Sequence, residues 1–463
     1  MLFNSFEFLV FLPLVFLGYW ALGRHLRLQN LLVLVASYVF YGWWDWRFLS
    51  LIAFTSAWSY VVGLVELRRW DSKPSKTLLT VSLIVNLGIL GVFKYYGFFM
   101  DSLTALLPFD LDPLTLDLVL PVGISFYTFQ ALSYTIDVYR RQIRPTRDPV
   151  AFFAFISFFP QLVAGPIERA TNLLPQFLAP RRFDYALAVD GGRQMLWGFF
   201  KKMVVADSLS EIVKLCLCGD LQSNGAAIAL GAVFFSVLIY ADFSGYSDIA
   251  IGCGKLFGVR FRTNFRFPYF ARDIAEFWRR WHISLTTWFR DYVYIPLGGS
   301  RGTKAQLVRN TFAIFLLSGL WHGANWTFVL WGALHALLFL PLLLGGRNRA
   351  HRGEFGFAPL TLLAIILGWL LFYAPSIATF GTWCRTMATP SSWGSLGHLP
   401  HEFGIGLGAA AAMFVFEWFN RREEYGFARY PSVRALRWVI YLAFVGALVF
   451  GAPASHDFVY FKF

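Results

Sequence analysis

From Asn310 to Gly346 the chain carries no Lys, Arg, Asp or Glu. The run is bounded by Arg309 on one side and Arg347 on the other, with Arg349 just beyond. Basic flanks stay on the cytoplasmic side of a membrane, so a run that begins and ends in arginine returns to the side it left. The pattern therefore predicts a hairpin of two apolar helices with its tip near His322 to Trp326. At 1.5 Å per residue, His322 lies about 20 Å along a helix from Arg309, inside a hydrocarbon layer about 30 Å thick. Lipid offers backbone groups no partner, so only helices and closed barrels span it. The apolar runs here are continuous rather than alternating, which excludes a barrel.

Composition agrees with a membrane protein. Hydrophobic residues make up 57% of the chain and charged residues 14%, against about 25% charged in soluble domains. The 18 Trp and 20 Tyr suit membrane interfaces. The net charge of +13 would suggest nucleic acid in a soluble protein. Here the excess Lys and Arg fall in loops, where the positive-inside rule and anionic lipid account for them. An anionic cytoplasmic substrate would meet the same field. The cysteines Cys216, Cys218, Cys253 and Cys384 match neither a disulfide framework nor a zinc pattern. Glu7 and the lack of a basic start favour a retained first helix over a cleaved signal.

Apolar segments are expected at 6–22, 31–44, 48–67, 77–99 and 118–138. The loops between them alternate basic, weakly charged, basic, acidic, basic. That order puts the N-terminus outside and the basic loops in the cytoplasm. A short apolar segment at 152–165 reads as re-entrant, a form tolerated only where protein or a cavity surrounds it. The span expected at 226–257 holds Asp242, Ser244 and Asp248 and should face the interior. Between 272 and 294, Phe277, Trp278, Trp281, Leu285 and Trp288 recur at helical spacing, predicting one amphipathic helix at the cytoplasmic interface. Further spans are expected at 358–373, 403–419 and 438–450, with an external loop at 375–400. The C-terminal tail then lies outside.

Several stretches carry a resemblance. They are Leu120-Pro121-Val122-Gly123-Ile124-Ser125-Phe126, Pro160-Gln161-Leu162-Val163-Ala164-Gly165-Pro166, Asp242-Phe243-Ser244-Gly245-Tyr246-Ser247-Asp248, the run from Arg266 to Ser284 containing Phe277-Trp278-Arg279-Arg280-Trp281-His282, Trp288-Phe289-Arg290-Asp291-Tyr292-Val293-Tyr294-Ile295-Pro296-Leu297-Gly298-Gly299, and Ser318-Gly319-Leu320-Trp321-His322-Gly323. Together they resemble the membrane-bound O-acyltransferase (MBOAT) family, most strongly from about 120 to 335, and within it the bacterial polysaccharide O-acetyltransferase branch. The resemblance implies an all-α polytopic fold in one domain, a ring of about 10–12 transmembrane helices with re-entrant and amphipathic helices around a central funnel. It also implies acetyl transfer from cytoplasmic acetyl-CoA, with no permanently bound cofactor and no metal. The acetyl group would pass outward to an exported polysaccharide of alginate, cellulose or peptidoglycan type, through a periplasmic or exported partner protein. D-alanyl transfer to teichoic acid, from a carrier protein, is the alternative within the family. A channel or flippase is the alternative outside it; such proteins often show repeated halves, and this chain shows none.

By the same resemblance His322 matches the family's catalytic histidine and His282 a second one of the bacterial branch. An ionisable residue at membrane depth is a functional candidate in its own right, although it can also be a packing residue bonded across helices. A neutral buried imidazole suits a general base. Arg279, Arg280 and Arg290 either meet the donor's phosphates or snorkel to lipid. Asp242 and Asp248 either partner His322 or bond an unwound helix turn. Asp242, Ser244 and Asn325 join the arginines in the expected binding set. His335 is a packing or interface residue. Tyr460, in the terminal Phe458-Val459-Tyr460-Phe461-Lys462-Phe463, is either an acyl relay or an aromatic anchor.

Overall fold

The computed structural model describes residues 1–107, 119–163, 165–346, 348, 358–396 and 402–453. Among them the chain is helical, without strands. The helices are α1 (Phe6–Ala21), α2 (Leu26–Asp45), α3 (Leu49–Arg68), α4 (Lys76–Leu90), α5 (Tyr96–Leu106), α6 (Ile124–Tyr139), α7 (Pro149–Ser157), α8 (Phe159–Leu162), α9 (Ala170–Leu178) and α10 (Tyr185–Phe199). They continue as α11 (Asp207–Leu217), α12 (Gly225–Leu256), α13 (Ile274–Arg280), α14 (Ile283–Phe289), α15 (Lys304–His322), α16 (Trp326–Leu344), α17 (Pro359–Tyr373), α18 (Ile377–Ala388), α19 (Glu402–Phe419) and α20 (Arg434–Phe450). Among the described residues, the helical stretches Leu26–Arg68, Lys76–Leu106, Gly225–Leu256 and Trp326–Leu344 are long and apolar enough to cross a bilayer. The apolar helices Phe6–Ala21, Pro359–Tyr373 and Phe403–Phe419 are shorter.

The surface departs from that of a soluble protein. Ser56, Ser59 and Asn86 are buried, while Leu9, Leu14, Ile84, Leu360 and Phe450 are exposed. Exposed apolar surface on this scale needs an apolar solvent. The chain is a multi-pass membrane protein.

One compact unit comprises Met1–Gly192 and Ala250–Arg262. At its centre the segment expected to be short and enclosed is a broken helix pair, α7 and α8. Asp148 caps α7, its Oδ1 accepting from the N–H groups of Val150 and Ala151 at 2.9 and 3.2 Å; Pro149 follows where no N–H is needed. The helix breaks at Phe158, φ −51° and ψ 109°. The peptide groups released there find partners inside the protein. Ser37 Oγ accepts from the Phe159 N–H at 3.0 Å, and Gln130 and Gln161 donate to the Phe155 carbonyl at 2.8 and 3.1 Å. Residues 154–162 are all buried. Gly123, at φ +77°, leads into α6, and a Cβ there would strike the Leu162 carbonyl.

The other unit comprises Arg193–Ile249 and Thr263–Phe463. Between α10 and α11 the backbone widens into a π-helical turn, Phe200–Ala206, which packs against α19 and α20. Such turns often mark functional sites. Here the turn carries Lys201 and Lys202, both buried. Lys201 Nζ donates to Asp248 Oδ2 at 2.5 Å and Ser244 Oγ at 2.9 Å. Lys202 Nζ lies 2.8 Å from Asp207 Oδ1 and 2.9 Å from Asp242 Oδ1. Gln194 donates to Asp248 and Tyr240 to Glu417, each at 2.8 Å. Gly198 and Gly245 let the two backbones approach; a Cβ on either would meet the other's carbonyl.

The hairpin at 307–344 forms as expected. Thr303 and Gln306 make a capping box at the start of α15, satisfying two otherwise orphaned N–H groups. Along the hairpin, a Cβ on Gly319 would run into the Phe328 carbonyl and one on Gly332 into the Phe315 carbonyl. Small residues at such positions let membrane helices touch backbone to backbone.

Two expectations need correction. The stretch 272–294 is not one amphipathic helix: it is α13, α14 and a π-helical turn, Arg290–Tyr294, with a left-handed break at His282. Its aromatic residues are buried in the protein, Phe277 at 0% and Trp281 at 1% exposure. A face that recurs at helical spacing signals burial but does not say against what. The loop expected at 375–400 contains a capped helix, α18, started by Ser376 accepting from Thr379 N–H at 3.1 Å. The span expected at 77–99 forms, within the continuous helical stretch Lys76–Leu106, with a π-helical turn at Gly91–Tyr95 between α4 and α5.

Two outcomes test this packing. Gly332→Val should lower the thermal unfolding midpoint in detergent, because overpacking costs about 1–3 kcal/mol. Gly88→Val, where a side chain meets nothing within 4 Å, should leave it nearly unchanged. Lys202→Met strands Asp207 and Asp242, and losing one partner of a buried pair costs about 3–5 kcal/mol; a denaturant titration should show the larger loss there.

Candidate active site

His322 is the last residue of α15 and is buried. The helix ends because Gly323 turns extended, φ −163°. Asn325 then starts α16, its side-chain oxygen accepting from Thr327 N–H at 3.0 Å. Its amide donates to the Pro375 carbonyl at 3.0 Å. The sharp reversal places His322 inside an aromatic box. Ring centroids of Trp321, Trp331 and Phe372 lie 5.1, 5.2 and 5.4 Å from its own.

His282 enters the same cluster from the break between α13 and α14. It sits at φ 43°, ψ 53°, a conformation costly for a residue other than glycine and one that persists only where surroundings impose it. Asn264 imposes it. The Asn264 carbonyl accepts from Ile283 N–H at 2.8 Å. Its side-chain Oδ1 accepts from Ser284 N–H at 3.3 Å and Ser284 Oγ at 2.8 Å. His282 Nδ1 lies 3.1 Å from the same Oδ1. The ring is fully buried, and desolvation lowers its pKa to about 3, so the imidazole is neutral at physiological pH. Its centroid is 6.4 Å from that of His322 and 5.7 Å from that of Trp321. The two histidines, forty residues apart in sequence, thus share one aromatic chamber.

Two cavities lie beside it. The larger, about 740 Å³, is lined by Arg290, Tyr294, Gly298, Arg301, Gln306 and Asn310, among others. The second, about 360 Å³, is lined by residues including Trp278, Arg279, Arg290, Phe315, Ser318 and Asn348. They share Arg290, Tyr294 and Ser300. Ser318 is one helical turn before His322 on α15, and residues four apart share a helix face. The polar outer space and the aromatic inner space are therefore adjoining, and the inner one reaches Ser318, a turn before His322, though neither His282 nor His322 lines either.

The remaining expected residues divide. Arg279 and Arg290 line the inner cavity. Arg279 donates to the Asn348 carbonyl at 2.8 Å, and Arg290 pairs with Asp291 at 2.6 Å. Arg280 lines neither cavity and pairs with Glu276 at 2.6 Å; desolvation opposes, but the neighbouring Arg272 N–H and the Arg280 guanidinium overcome it and hold the Glu276 carboxyl below its usual range. Asp242 and Ser244 lie in the lysine network of the π-helical turn, as does Asp248. His335 lies edge-on to Trp331 and Trp278 and parallel to Phe277, with centroids 4.7, 5.1 and 6.4 Å away. Tyr460 lies outside the described residues. Sequence reasoning missed Asn264, Trp331 and Phe372. A lone Asn in an arginine-rich loop carries no pattern, and the two aromatics read as membrane-helix filler.

The family model described as MBOAT, membrane-bound O-acyltransferase family, matches residues 140–379, which contain both histidines and both cavities. The chain is 39% identical over its whole length to the probable alginate O-acetylase AlgI of Pseudomonas putida, covering all of that protein. It is 42% identical to the AlgI of Pseudomonas aeruginosa, across 83% of this chain and 76% of that one. It is 34% identical to a peptidoglycan O-acetyltransferase of Helicobacter pylori, across 73% and 69% respectively. A polytopic helical chain with an enclosed histidine chamber and this degree of likeness is a member of the membrane-bound O-acyltransferase family, and so an O-acyltransferase.

Proposed function

We propose that this protein transfers acetyl groups from cytoplasmic acetyl-CoA across the membrane for O-acetylation of an exported polysaccharide. The observation that carries the chemistry is the burial of His322 in an aromatic box one helical turn from a cavity lined by arginines. The likeness to alginate O-acetylases and a peptidoglycan O-acetyltransferase supports the acetyl group and the class of acceptor.

A thioester is already activated, so the protein has to position it and remove one proton. The acceptor hydroxyl donates its proton to the imidazole of His322 as its oxygen attacks the acyl carbon. The carbon–sulfur bond then breaks, and the departing thiolate takes the proton from the imidazolium. The neutral base is regenerated. Removal of water from the chamber strengthens each hydrogen bond in it and keeps the thioester from hydrolysis. Arg290 and Arg301 at the outer cavity suit the phosphates of the donor, and the narrower apolar cavity suits its thioester arm. The basic loops support a cytoplasmic mouth by the positive-inside rule, with both termini outside, in the cytoplasmic membrane of a bacterium. A periplasmic or exported partner protein completes delivery to the polymer.

His322→Ala should lower acetyl transfer between about 10²- and 10⁴-fold, the usual worth of a general base, while the purified variant keeps its unfolding midpoint. Full transfer by a folded variant would refute the assignment. The double variant Arg290→Gln/Arg301→Gln should raise KM for acetyl-CoA about tenfold, near 1.4 kcal/mol of binding, with kcat little changed. Steady-state kinetics with labelled acetyl-CoA read both values.

A further inference from the structure

Asn264 belongs to no motif read above, yet it touches His282 on two levels. Its backbone carbonyl and its side-chain oxygen take the first two N–H groups of α14, from Ile283 at 2.8 Å and Ser284 at 3.3 Å. A helix N-terminus has such N–H groups to satisfy, and His282, the residue in the capping position, makes no side-chain cap bond itself. A neighbouring segment thus does the capping, and the strained histidine is pinned in place.

The same contacts decide a proton. A backbone N–H can only donate, so the Asn264 atom facing Ser284 N is the oxygen. The amide nitrogen is accounted for independently: Nδ2 donates to Ser247 Oγ at 3.0 Å. The Asn264 atom 3.1 Å from His282 Nδ1 is therefore an acceptor. A bare Nδ1 there would set two lone pairs against each other, so Nδ1 carries the hydrogen. Ser284 Oγ, 3.4 Å from Nδ1, spends its own hydrogen on the same Asn264 oxygen at 2.8 Å and cannot reverse the assignment. A neutral imidazole with hydrogen on Nδ1 has a lone pair on Nε2. That Nε2 is buried and has no hydrogen-bond partner among the described residues.

We propose that Asn264 is a positioning residue for acyl transfer, fixing His282 as the Nδ1–H tautomer so that its Nε2 accepts a hydrogen bond from the bound substrates. The inference rests on the acyl-transfer reading of the chamber. It excludes one role often given to a second polar group at such a site: in this tautomer Nε2 cannot donate to the oxyanion of the tetrahedral intermediate. What it can hold is an O–H or N–H of the reactants, beside a base whose ring centroid is 6.4 Å away. The orienting of one group by another through the far ring nitrogen is a recurring way to fix a histidine's tautomer.

The test has two independent arms. In the intact protein in lipid nanodiscs, labelled with ¹⁵N-imidazole histidine, the His282 signals (found by difference against His282→Gln) should report a protonated Nδ1 and an unprotonated Nε2. A wild-type spectrum with hydrogen on Nε2 overturns the proposal, whatever the activity. In the kinetic arm, Asn264→Leu should lower kcat between about 10²- and 10⁴-fold, the scale of losing a base or its tautomer, with KM for acetyl-CoA within about threefold. Asn264→Asp keeps the acceptor and should recover most of that loss while preserving the Nδ1–H signature. Asn264→Leu with unchanged kcat, or Asn264→Asp no better than Asn264→Leu, overturns it. If the leucine variant does not fold, the wild-type spectrum and the aspartate variant decide. A protein that shows the Nδ1–H spectrum but transfers no acetyl group would instead sink the acetyltransferase reading and leave the tautomer standing.

Discussion

Hydrocarbon gives a backbone amide or a charged side chain nothing to bond, and the internal arrangement of this protein answers that shortage at three irregular segments of its described helices. The interruption at Phe158 would expose peptide groups; Ser37, Gln130 and Gln161 take them up. The interruption at His282 does the same, and Asn264 takes them up. The π-helical turn at Phe200–Ala206 brings two lysines inside, and four acidic or hydroxyl side chains meet them. Each of these three segments sits where polar groups from elsewhere in the chain can reach it. Helices such as α1 and α17 carry many apolar side chains outward, as Leu9 and Leu360 show.

Close approach of backbones makes those partners reachable. Gly319 and Gly332 bring the two arms of the hairpin together, and Gly198 and Gly245 do so for the two helices around the lysine network. Without a hydrophobic drive between helices in lipid, such packing and the bonds across it are what hold the helices to each other. The chamber around His322 depends on this. Trp321 and Trp331 stand on opposite arms of the hairpin, and both flank the imidazole.

Charge is managed differently in the network and in the chamber. In the network each lysine is paired closely with carboxylates, a costly arrangement tolerated because each ion is compensated. In the chamber, aromatic walls and full burial leave His282 neutral, a state with a lone pair to offer. A chemistry that begins by accepting a proton needs the second environment, and a scaffold that must hold an irregular turn at depth needs the first. The strained backbone at His282 belongs with this division, since its orientation is set by a neighbour rather than by local preference.

Much of this was legible along the chain. Apolar runs and their basic flanks specify helices and the reversal after His322, because burial in lipid demands a minimum length and leaves charge at the ends. The short enclosed segment near Phe158 was legible for the same reason. Motif likeness singled out His282 and His322. Periodicity misjudged residues 272–294, since an apolar stripe looks the same whether it meets lipid or tryptophan. Neither the meeting of His282 with His322 nor the hold of Asn264 on His282 could be read from order and spacing. Those contacts join residues far apart in the chain, and which polar atom faces which is decided only when the helices pack and every buried donor has to find an acceptor.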